Sequence, residues 1–239
     1  MHVTAILLAA GKGLRLKSKI SKPLIKIDSR PLIIYSLNTL SKHPYIKDII
    51  VVANRRNLQD LRNNIKRFSI DKIKDVVLGG KKRQGSVING LRAIDNHTDL
   101  VLIHDGVRPF IDRDIVSSVI KTAKLYGAAI VGVPVKATIK GVRCQVSGVR
   151  AKCYTVDKTF NRESLWEIQT PQVFKKDLIL KAYNKFGDMD VTDDAMLVEK
   201  IGVKIRVVLG NYMNIKITTP EDLVIAETIA KNLMTDARN

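Results

Sequence analysis

The chain has few cysteines, few aromatic residues and no long hydrophobic run, and each shortage excludes a class of protein. Cys144 and Cys153 are too few for a disulfide scaffold, and no Cys/His cluster has the spacing of a zinc site. No apolar run approaches the roughly 20 residues that a membrane-spanning helix needs. The segment from Met1 shows no basic region followed by an apolar stretch, so we expect no signal peptide. A cytoplasmic protein with reduced thiols is the simplest expectation.

Acidic residues are also scarce, and the resulting charge narrows the choice of partners. The 239 residues include 41 Lys and Arg but only 23 Asp and Glu, which gives a formal net charge of +18. Such an excess favours polyanions or phosphorylated small molecules, and it is equally compatible with a solvated basic surface. A nucleic-acid-binding module would place basic and aromatic residues on a common face. Aromatic residues make up only 5% of the chain, so we expect no specific nucleic-acid partner.

Short apolar segments alternate with segments of helical periodicity through most of the chain. Strands are predicted at 4–8, 48–52, 75–78, 100–104 and 128–133, and helices at 31–40, 86–94 and 115–125. This order predicts an α/β fold with a Rossmann-like open, mostly parallel twisted sheet flanked by helices. No low-complexity linker interrupts it, so residues 1–239 are interpreted as one domain. Ligand-binding loops are then expected at the carboxyl ends of the strands.

Residues 138–160 break this rhythm with an apolar alternation of period two. Val142 and Cys144 alternate with charged and polar residues, Gly148 interrupts the pattern, and Val149 resumes it. The pattern predicts a β-hairpin arm that protrudes from the sheet. An exposed two-stranded arm is only marginally stable alone, so we expect it to pack on a second copy in a homodimer.

Further elements are predicted after the arm. Helices are expected near 175–183 and 193–201, and strands at 203–209 and 213–217. The last helix is predicted to begin at Thr219, where a threonine cap, Pro220 and two acidic residues form a strong start signal.

The loop after the first predicted strand combines small residues with cations. Ala9, Ala10, Gly11 and Gly13 allow a ligand to approach the backbone closely, and backbone amides of such loops bind phosphate oxygens. A dinucleotide fingerprint would need a third glycine at position 16, where the chain has Leu16, and a Walker loop is absent. The cations that follow point to a triphosphate: Lys12, Arg15, Lys17, Lys19, Lys22 and Lys26.

Two more loops at strand ends carry candidate site residues. Gly79 and Gly80 begin a second glycine-rich loop that could line a nucleotide base; Ser86, later in this loop, is equally suited to cap a helix. Asp105 could hold Mg²⁺ or a ribose hydroxyl, or could simply be a turn residue, and Arg108 could clamp a phosphate. We interpret His104 as a buried histidine with satisfied hydrogen bonds.

These loops are part of an ordered series of motifs along almost the whole chain. The series runs Ala-Ala-Gly-x-Gly-x-Arg (9–15), Lys22, Gly-Gly-x-x-Arg-x-x-Ser-Val (79–87), His-Asp-Gly-x-Arg-Pro (104–109), Thr-Val-Asp (155–157), Arg-Glu-Ser-Leu-Trp (162–166), Gln-Thr-Pro-Gln (169–172), Thr-Asp-Asp-Ala (192–195) and Asn-Ile-Lys-Ile-Thr (214–218). It resembles the 2-C-methyl-D-erythritol 4-phosphate cytidylyltransferases of the non-mevalonate isoprenoid pathway. The resemblance implies a single nucleotidyltransferase domain that joins CTP to methylerythritol phosphate with Mg²⁺, releases pyrophosphate and forms a homodimer.

The resemblance also implies a role for each matching residue. Arg15 and Lys22 would stabilise the transition state, while Lys216 and Arg162 would position methylerythritol phosphate, Arg162 from the partner subunit. The implied nucleotide-binding residues are Ala9, Ala10, Gly11, Gly13, Gly80, Lys81, Ser86 and Asp105, and Asp105 is also the implied metal ligand. The implied substrate-binding residues are Arg108, Thr138, Thr170 and Thr192, with Thr138 reaching across the dimer.

Some positions depart from the family pattern, and a related group of enzymes offers an alternative acceptor substrate. Ser21 stands before Lys22 where a proline is expected, and Lys81 replaces a commonly acidic residue. Enzymes that act on ribitol 5-phosphate share the nucleotide loops, so they remain the alternative; residues 162–166 favour methylerythritol phosphate. A nucleic-acid-binding protein is a more distant alternative for the function.

Overall fold

The structure is a computed structural model that describes residues 1–11, 20–145 and 153–236. Its strands are β1 Val3–Leu8, β2 Lys26–Ile27, β3 Arg30–Pro31, β4 Ile46–Ala53, β5 Ile73–Leu78, β6 Leu100–Asp105, β7 Ala128–Pro134, β8 Lys140–Gln145, β9 Cys153–Thr159, β10 Trp166–Lys175 and β11 Arg206–Leu209. Its α-helices are α1 Leu32–Ser41, α2 Leu58–Arg67, α3 Arg83–Arg92, α4 Arg113–Tyr126, α5 Lys176–Phe186, α6 Ala195–Lys200 and α7 Pro220–Asp236. Short 3₁₀ turns span Lys22–Leu24 and Arg162–Ser164.

Seven strands form one open sheet in the order β11-β7-β10-β6-β1-β4-β5. All neighbouring strands are parallel except β10, which is antiparallel to both β6 and β7. The predicted open, mostly parallel α/β sheet is therefore confirmed. Leu8 is in register with Val52 on one side and with Asp105 on the other, so three strands end at the same edge.

Helices cover both faces of this sheet and bury its side chains. In β1, Leu7 packs with α1 and α4 on one face, and Ile6 packs with α3 on the other. This two-sided burial explains why the parallel strands are almost continuously apolar. Each fully buried Leu or Ile contributes about 1.5–3 kcal/mol. Gly90 lets α3 approach β1 closely, because a Cβ at that position would lie 2.6 Å from the Ile6 side chain.

Several elements differ from the sequence prediction, and the short strands β2 and β3 are among those not predicted. The strand predicted at 213–217 is wrong: a turn closes there, and the Asn214 amide donates to the Asn211 carbonyl. Helix α2 was not predicted because Leu61 is its only buried residue. Strand β10 was not predicted either, since Pro171 argues against a central strand. Pro171 is accommodated at a register shift between Gln169 and Gln172, where it does not have to donate a ladder hydrogen bond.

The predicted hairpin is present as a separate two-stranded antiparallel sheet of β8 and β9. Its predicted turn lies outside the described residues. Val142 is opposite Val156, and both are more than half exposed, as is Tyr154 on the same face of the hairpin. The hairpin therefore presents an apolar face that nothing in the described chain covers completely.

The last helix begins as the sequence predicts. The Asp222 carboxylate accepts hydrogen bonds from the backbone amides of Thr218 and Thr219, at 2.7 and 2.8 Å, and so caps α7. In the ranges that the structure describes, neither α7 nor any other helix is long and apolar enough to cross a membrane.

Candidate active site

The strand ends at the carboxyl edge of the sheet are connected by backbone hydrogen bonds. The amide of Ala9 donates to Val52, that of Gly79 to Ala53, and that of Gly106 to Leu8, over 2.7–2.9 Å. These bonds bring the loops that follow β1, β5 and β6 together. The sequence-predicted loops therefore converge at one place, as the carboxyl ends of parallel strands require.

The second glycine loop lies directly against the end of β1. A Cβ on Gly79 would lie 2.6 Å from the Ala10 Cβ, so only glycine fits. The Gly80 amide donates to the Ser86 hydroxyl, which itself donates to the Lys82 carbonyl. The suggestion that Ser86 caps a helix is wrong, because α3 begins three residues earlier, at Arg83. Ser86 instead shapes the loop, while Lys81 is exposed.

Lys22 is buried within the 3₁₀ turn Lys22–Leu24. The neighbouring Ser21 hydroxyl accepts a hydrogen bond of 2.8 Å from the Asn57 side-chain amide, which also donates to the Ala9 carbonyl at 2.9 Å. Asn57 thus ties the segment before Lys22 to the end of β1. This contact gives Ser21 a structural role, since it holds the segment before Lys22 against the end of β1.

Asp105 ends β6 and forms the centre of a charged cluster. Its Oδ2 lies 2.6 Å from the Nζ of Lys216, and its Oδ1 lies 3.6 Å from the Nε of Arg83. The Asp105 side chain is only 10% exposed, whereas Lys216 is 41% exposed. Burial opposes ionisation, but Arg83 and then Lys216 outweigh it and hold the pKa of Asp105 well below its usual range. The site therefore contains a carboxylate between two cations that favour its ionised form.

Arg83 continues this cluster into the protein interior. Its Nη2 donates to the fully buried Asp194 over 2.8 Å, and the Tyr183 hydroxyl donates to the other oxygen of Asp194 over 2.5 Å. Burial opposes the charge on Arg83, but Asp194 and Asp105 raise its pKa above the ordinary value. Burial and Asp194 together raise the pKa of Tyr183. The sequence motifs contained Arg83 and Asp194, but this connection was not predicted.

A chain of hydrogen bonds fixes the backbone of Asp105 from the other side. The Asp105 amide donates to the Thr170 hydroxyl, which donates to Nδ1 of His104, and Nε2 of His104 donates to the Arg108 carbonyl. Burial lowers the pKa of His104 to about 4, so it is neutral. The interpretation of His104 as a buried, satisfied histidine is confirmed. Thr170 is buried and directs its hydroxyl to these neighbours.

The lowered pKa of His104 predicts a loss of stability in acid. The unfolded chain takes up this proton near pH 6.5 and the folded chain near pH 4, so folding is weakened as the pH falls between these values. The linkage amounts to about 3 kcal/mol by pH 4. Urea unfolding at several pH values should show a shallower acid slope for His104→Gln. An unchanged slope in His104→Gln would contradict the assignment.

A cleft of about 370 Å³ opens beside the Asp105–Lys216 pair. Arg108, Lys216, Gln169, Glu167 and Tyr212 contribute to its lining. Arg108 is buried and donates through Nη1 to the Asn214 carbonyl, while its Nε has no hydrogen-bond partner among the described residues. The cleft is thus lined by two cations, and the buried Nε of Arg108 is left without a hydrogen bond in the part of the chain that the structure describes.

Comparison with known proteins identifies the family. A model of the 2-C-methyl-D-erythritol 4-phosphate cytidylyltransferase family matches residues 3–232. The chain belongs to this family. A cytidylyltransferase of that name from Caldanaerobacter subterraneus subsp. tengcongensis is 42% identical over 230 residues, which are 95% of this chain and 98% of that protein. Another, from Clostridium novyi, is 42% identical over 234 residues, 97% of each chain.

Solved structures of cytidylyltransferases share the fold. A 4-diphosphocytidyl-2C-methyl-D-erythritol synthase from Anaerococcus prevotii has a TM-score of 0.81 and 33% identity, and the match covers 96% of this chain and 98% of that one. The 2-C-methyl-D-erythritol 4-phosphate cytidylyltransferase from Thermus thermophilus has a TM-score of 0.74 and 26% identity, with 97% and 100% covered. The fold expected from the sequence resemblance is confirmed.

Some of the site residues implied by the cytidylyltransferase pattern lie away from the Asp105 cluster. Arg162 is exposed near the hairpin and donates to the Lys136 carbonyl, and exposed Thr138 lies between β7 and β8. The Thr192 hydroxyl contacts the sulfur of Met196. Gly13 and Arg15 lie outside the described residues. The structure therefore brings together Ala9, Ala10, Gly80, Ser86, Asp105, Arg108, Thr170 and Lys216, and Lys22 follows Ser21, which Asn57 ties to Ala9.

Proposed function

We propose that this chain transfers CMP from CTP to 2-C-methyl-D-erythritol 4-phosphate and releases pyrophosphate, a step in isoprenoid precursor synthesis. Family membership supports the reaction class. The single structural observation that carries the proposal is the ionised Asp105 held by Lys216 and Arg83 at the edge of the converging glycine loops. Such an arrangement suits two polyanionic substrates and a dissociable metal ion.

The reaction depends on electrostatic stabilisation of its transition state more than on a general base. A phosphate oxygen of the acceptor, already ionised near neutral pH, attacks the α-phosphorus of CTP. The bond from that phosphorus to the bridging oxygen breaks, and pyrophosphate leaves with the electron pair. We assign transition-state stabilisation to Arg15 and Lys22, and acceptor positioning to Lys216 and Arg108. One well-placed donor is worth about 2.7–4 kcal/mol of barrier, and alignment for in-line attack supplies much of the rest.

Asp105 is the residue that would hold Mg²⁺. Magnesium is commonly bound by one or two carboxylates together with substrate phosphates and water, and Asp105 provides one ionised carboxylate at the loop edge. The bound ion would neutralise charge on the triphosphate. Lys216, now paired with Asp105, is exposed enough to turn towards an acceptor phosphate when a cation takes its place.

The acceptor side of the site is proposed to be completed by a second copy of the chain. Arg162 and Thr138 lie near the hairpin rather than in the Asp105 cluster. The exposed apolar face of Val142, Tyr154 and Val156 supports packing of this hairpin on a partner. A homodimer would deliver both residues to the partner's cleft. We also place the enzyme in the cytoplasm, since both substrates are highly charged and are not expected to cross a membrane unaided.

Pyrophosphate release by the purified chain with CTP and Mg²⁺ tests this function. We expect release with 2-C-methyl-D-erythritol 4-phosphate and not with ribitol 5-phosphate. Release with ribitol 5-phosphate alone would keep the chemistry but overturn the acceptor, and no release with either would overturn the function. Light scattering on the same sample should give twice the 26.7 kDa chain mass; a monomeric mass would contradict the shared site.

A further inference from the structure

A second cluster of metal-ligating side chains lies at the opposite edge of the sheet. His2 precedes β1, Asp48 lies near the start of β4, and His97 lies in the loop before β6. Because these strands are parallel, the three residues meet at the amino-terminal edge. Ligand atoms of the three side chains all lie within 4.8 Å of one another, and Nε2 of His2 is 2.5 Å from Oδ2 of Asp48.

The surroundings of this cluster are rich in carboxylates although the chain is strongly basic. Asp95 has an oxygen 3.3 Å from Nε2 of His97, and Asp99 accepts a hydrogen bond from the His2 amide. With Asp48, three carboxylates therefore lie at this edge. Two nearby cations partly balance them, Lys74 against Asp95 and the Met1 ammonium against Asp99. The local field thus still favours a divalent cation.

We propose that His2, Asp48 and His97 bind a divalent transition-metal ion of the zinc class, with water completing the shell. Two imidazoles and one carboxylate match the preference of zinc, cobalt and nickel, whereas magnesium and calcium prefer oxygen ligands alone. Ligand atoms around a tetrahedral zinc are about 3.3 Å apart. His2 and Asp48 are already closer than this, and the His97 side chain is 63% exposed and can turn inwards. Asp95 then accepts from the second nitrogen of His97 or serves as a fourth ligand.

Such an ion would join three segments that are far apart in the sequence. It would fix the start of β1 to β4 and to the loop between α3 and β6, and its binding would add to folding stability. The site shares no residue with the Asp105 cluster. It therefore does not depend on the proposed function, and its loss leaves cytidylyl transfer unchanged.

Cobalt(II) is a suitable probe because its visible absorption reports tetrahedral coordination. The test uses the metal-stripped full chain with Cys144→Ser and Cys153→Ser, so that thiols cannot bind the ion. We expect one equivalent of cobalt to bind, zinc to displace it, and thermal unfolding to shift upwards. His97→Ala and Asp48→Asn should each weaken binding at least ~10-fold. The exposed Asp188→Asn is the matched control for Asp48→Asn and should bind as the parent does.

Two results would overturn the proposal. One is an absence of saturable cobalt binding in the parent chain. The other is binding that survives His97→Ala at full affinity and disappears in Asp105→Asn, which would place the ion in the nucleotide site. We expect the His97→Ala chain to fold as the parent does, because this side chain is largely exposed.

Discussion

Replacing Lys216 with alanine is expected to lower kcat/KM for pyrophosphate release by about 10²- to 10³-fold, or about 2.7–4 kcal/mol of transition-state stabilisation. The Nζ of Lys216 lies 2.6 Å from Asp105 and lines the cleft next to it, where two anions have to meet. The Lys216 side chain is 41% exposed, so its removal should change the free energy of unfolding by only about 1 kcal/mol or less. Steady-state kinetics together with urea unfolding separate these two effects.

Lys204→Ala is the matched control for this substitution. Lys204 is exposed and precedes β11, and its loss removes the same charge from the same region of the sequence. Its kcat/KM should stay within about twofold of the parent if net charge acts only through weak steering. Equal losses in Lys204→Ala and Lys216→Ala would show that overall charge, rather than placement beside Asp105, governs the rate.

Asp194→Asn is expected to lower the free energy of unfolding by about 3–5 kcal/mol. Asp194 is fully buried and neutralises Arg83, so the amide leaves a guanidinium whose remaining partner, Asp105, is 3.6 Å away. Tyr183→Phe removes only the hydroxyl that donates to Asp194 and should cost about 1 kcal/mol. Urea unfolding midpoints give both numbers. Because Arg83 also holds Asp105, kcat should fall in Asp194→Asn at temperatures where the chain is still folded.

Asp193→Asn is the control for Asp194→Asn. Asp193 accepts from Gln172 and from the Met196 amide and is only partly buried, so Asp193→Asn keeps one acceptor and no buried charge is left unpaired. Its destabilisation should stay near 1 kcal/mol. A loss in Asp194→Asn no greater than that in Asp193→Asn would mean that the Arg83–Asp194 pair adds little to the fold.

The parallel strands were predictable because burial on both faces makes them almost continuously apolar. Strand β10 carries Gln169, Thr170 and Pro171, a composition typical of a loop, and only the structure shows that these residues are buried in the middle of the sheet. The strand expected around Lys216 fails for a related reason. Asn214 is buried and its side-chain amide binds Gln169 and Thr170, so tertiary hydrogen bonds replace a local strand.

The candidate site was predictable to the extent that motifs sit at strand ends. Gly80, Asp105 and Lys216 were found through their loops and the family resemblance. Arg83 and Asp194 are 111 residues apart, and their pairing has no local signal, since a single sequence does not show which buried charges meet. The contact between Asn57 and Ser21 was missed for the same reason, at a separation of 36 residues.

The position of β10 has a consequence for synthesis of the protein. Strands β5, β4, β1 and β6 can pair once residue 105 has been made, but β10, which covers the other side of β6, follows some 60 residues later. Until then β6 presents an open apolar edge, which is a template for wrong pairing. Strand β7 is made before β10, but in the finished sheet β10 lies between β7 and β6. Strand β7 therefore must not pair with the free edge of β6. We therefore expect a nascent chain that ends before residue 166 to aggregate more readily than the full chain, because β6 lacks its neighbour.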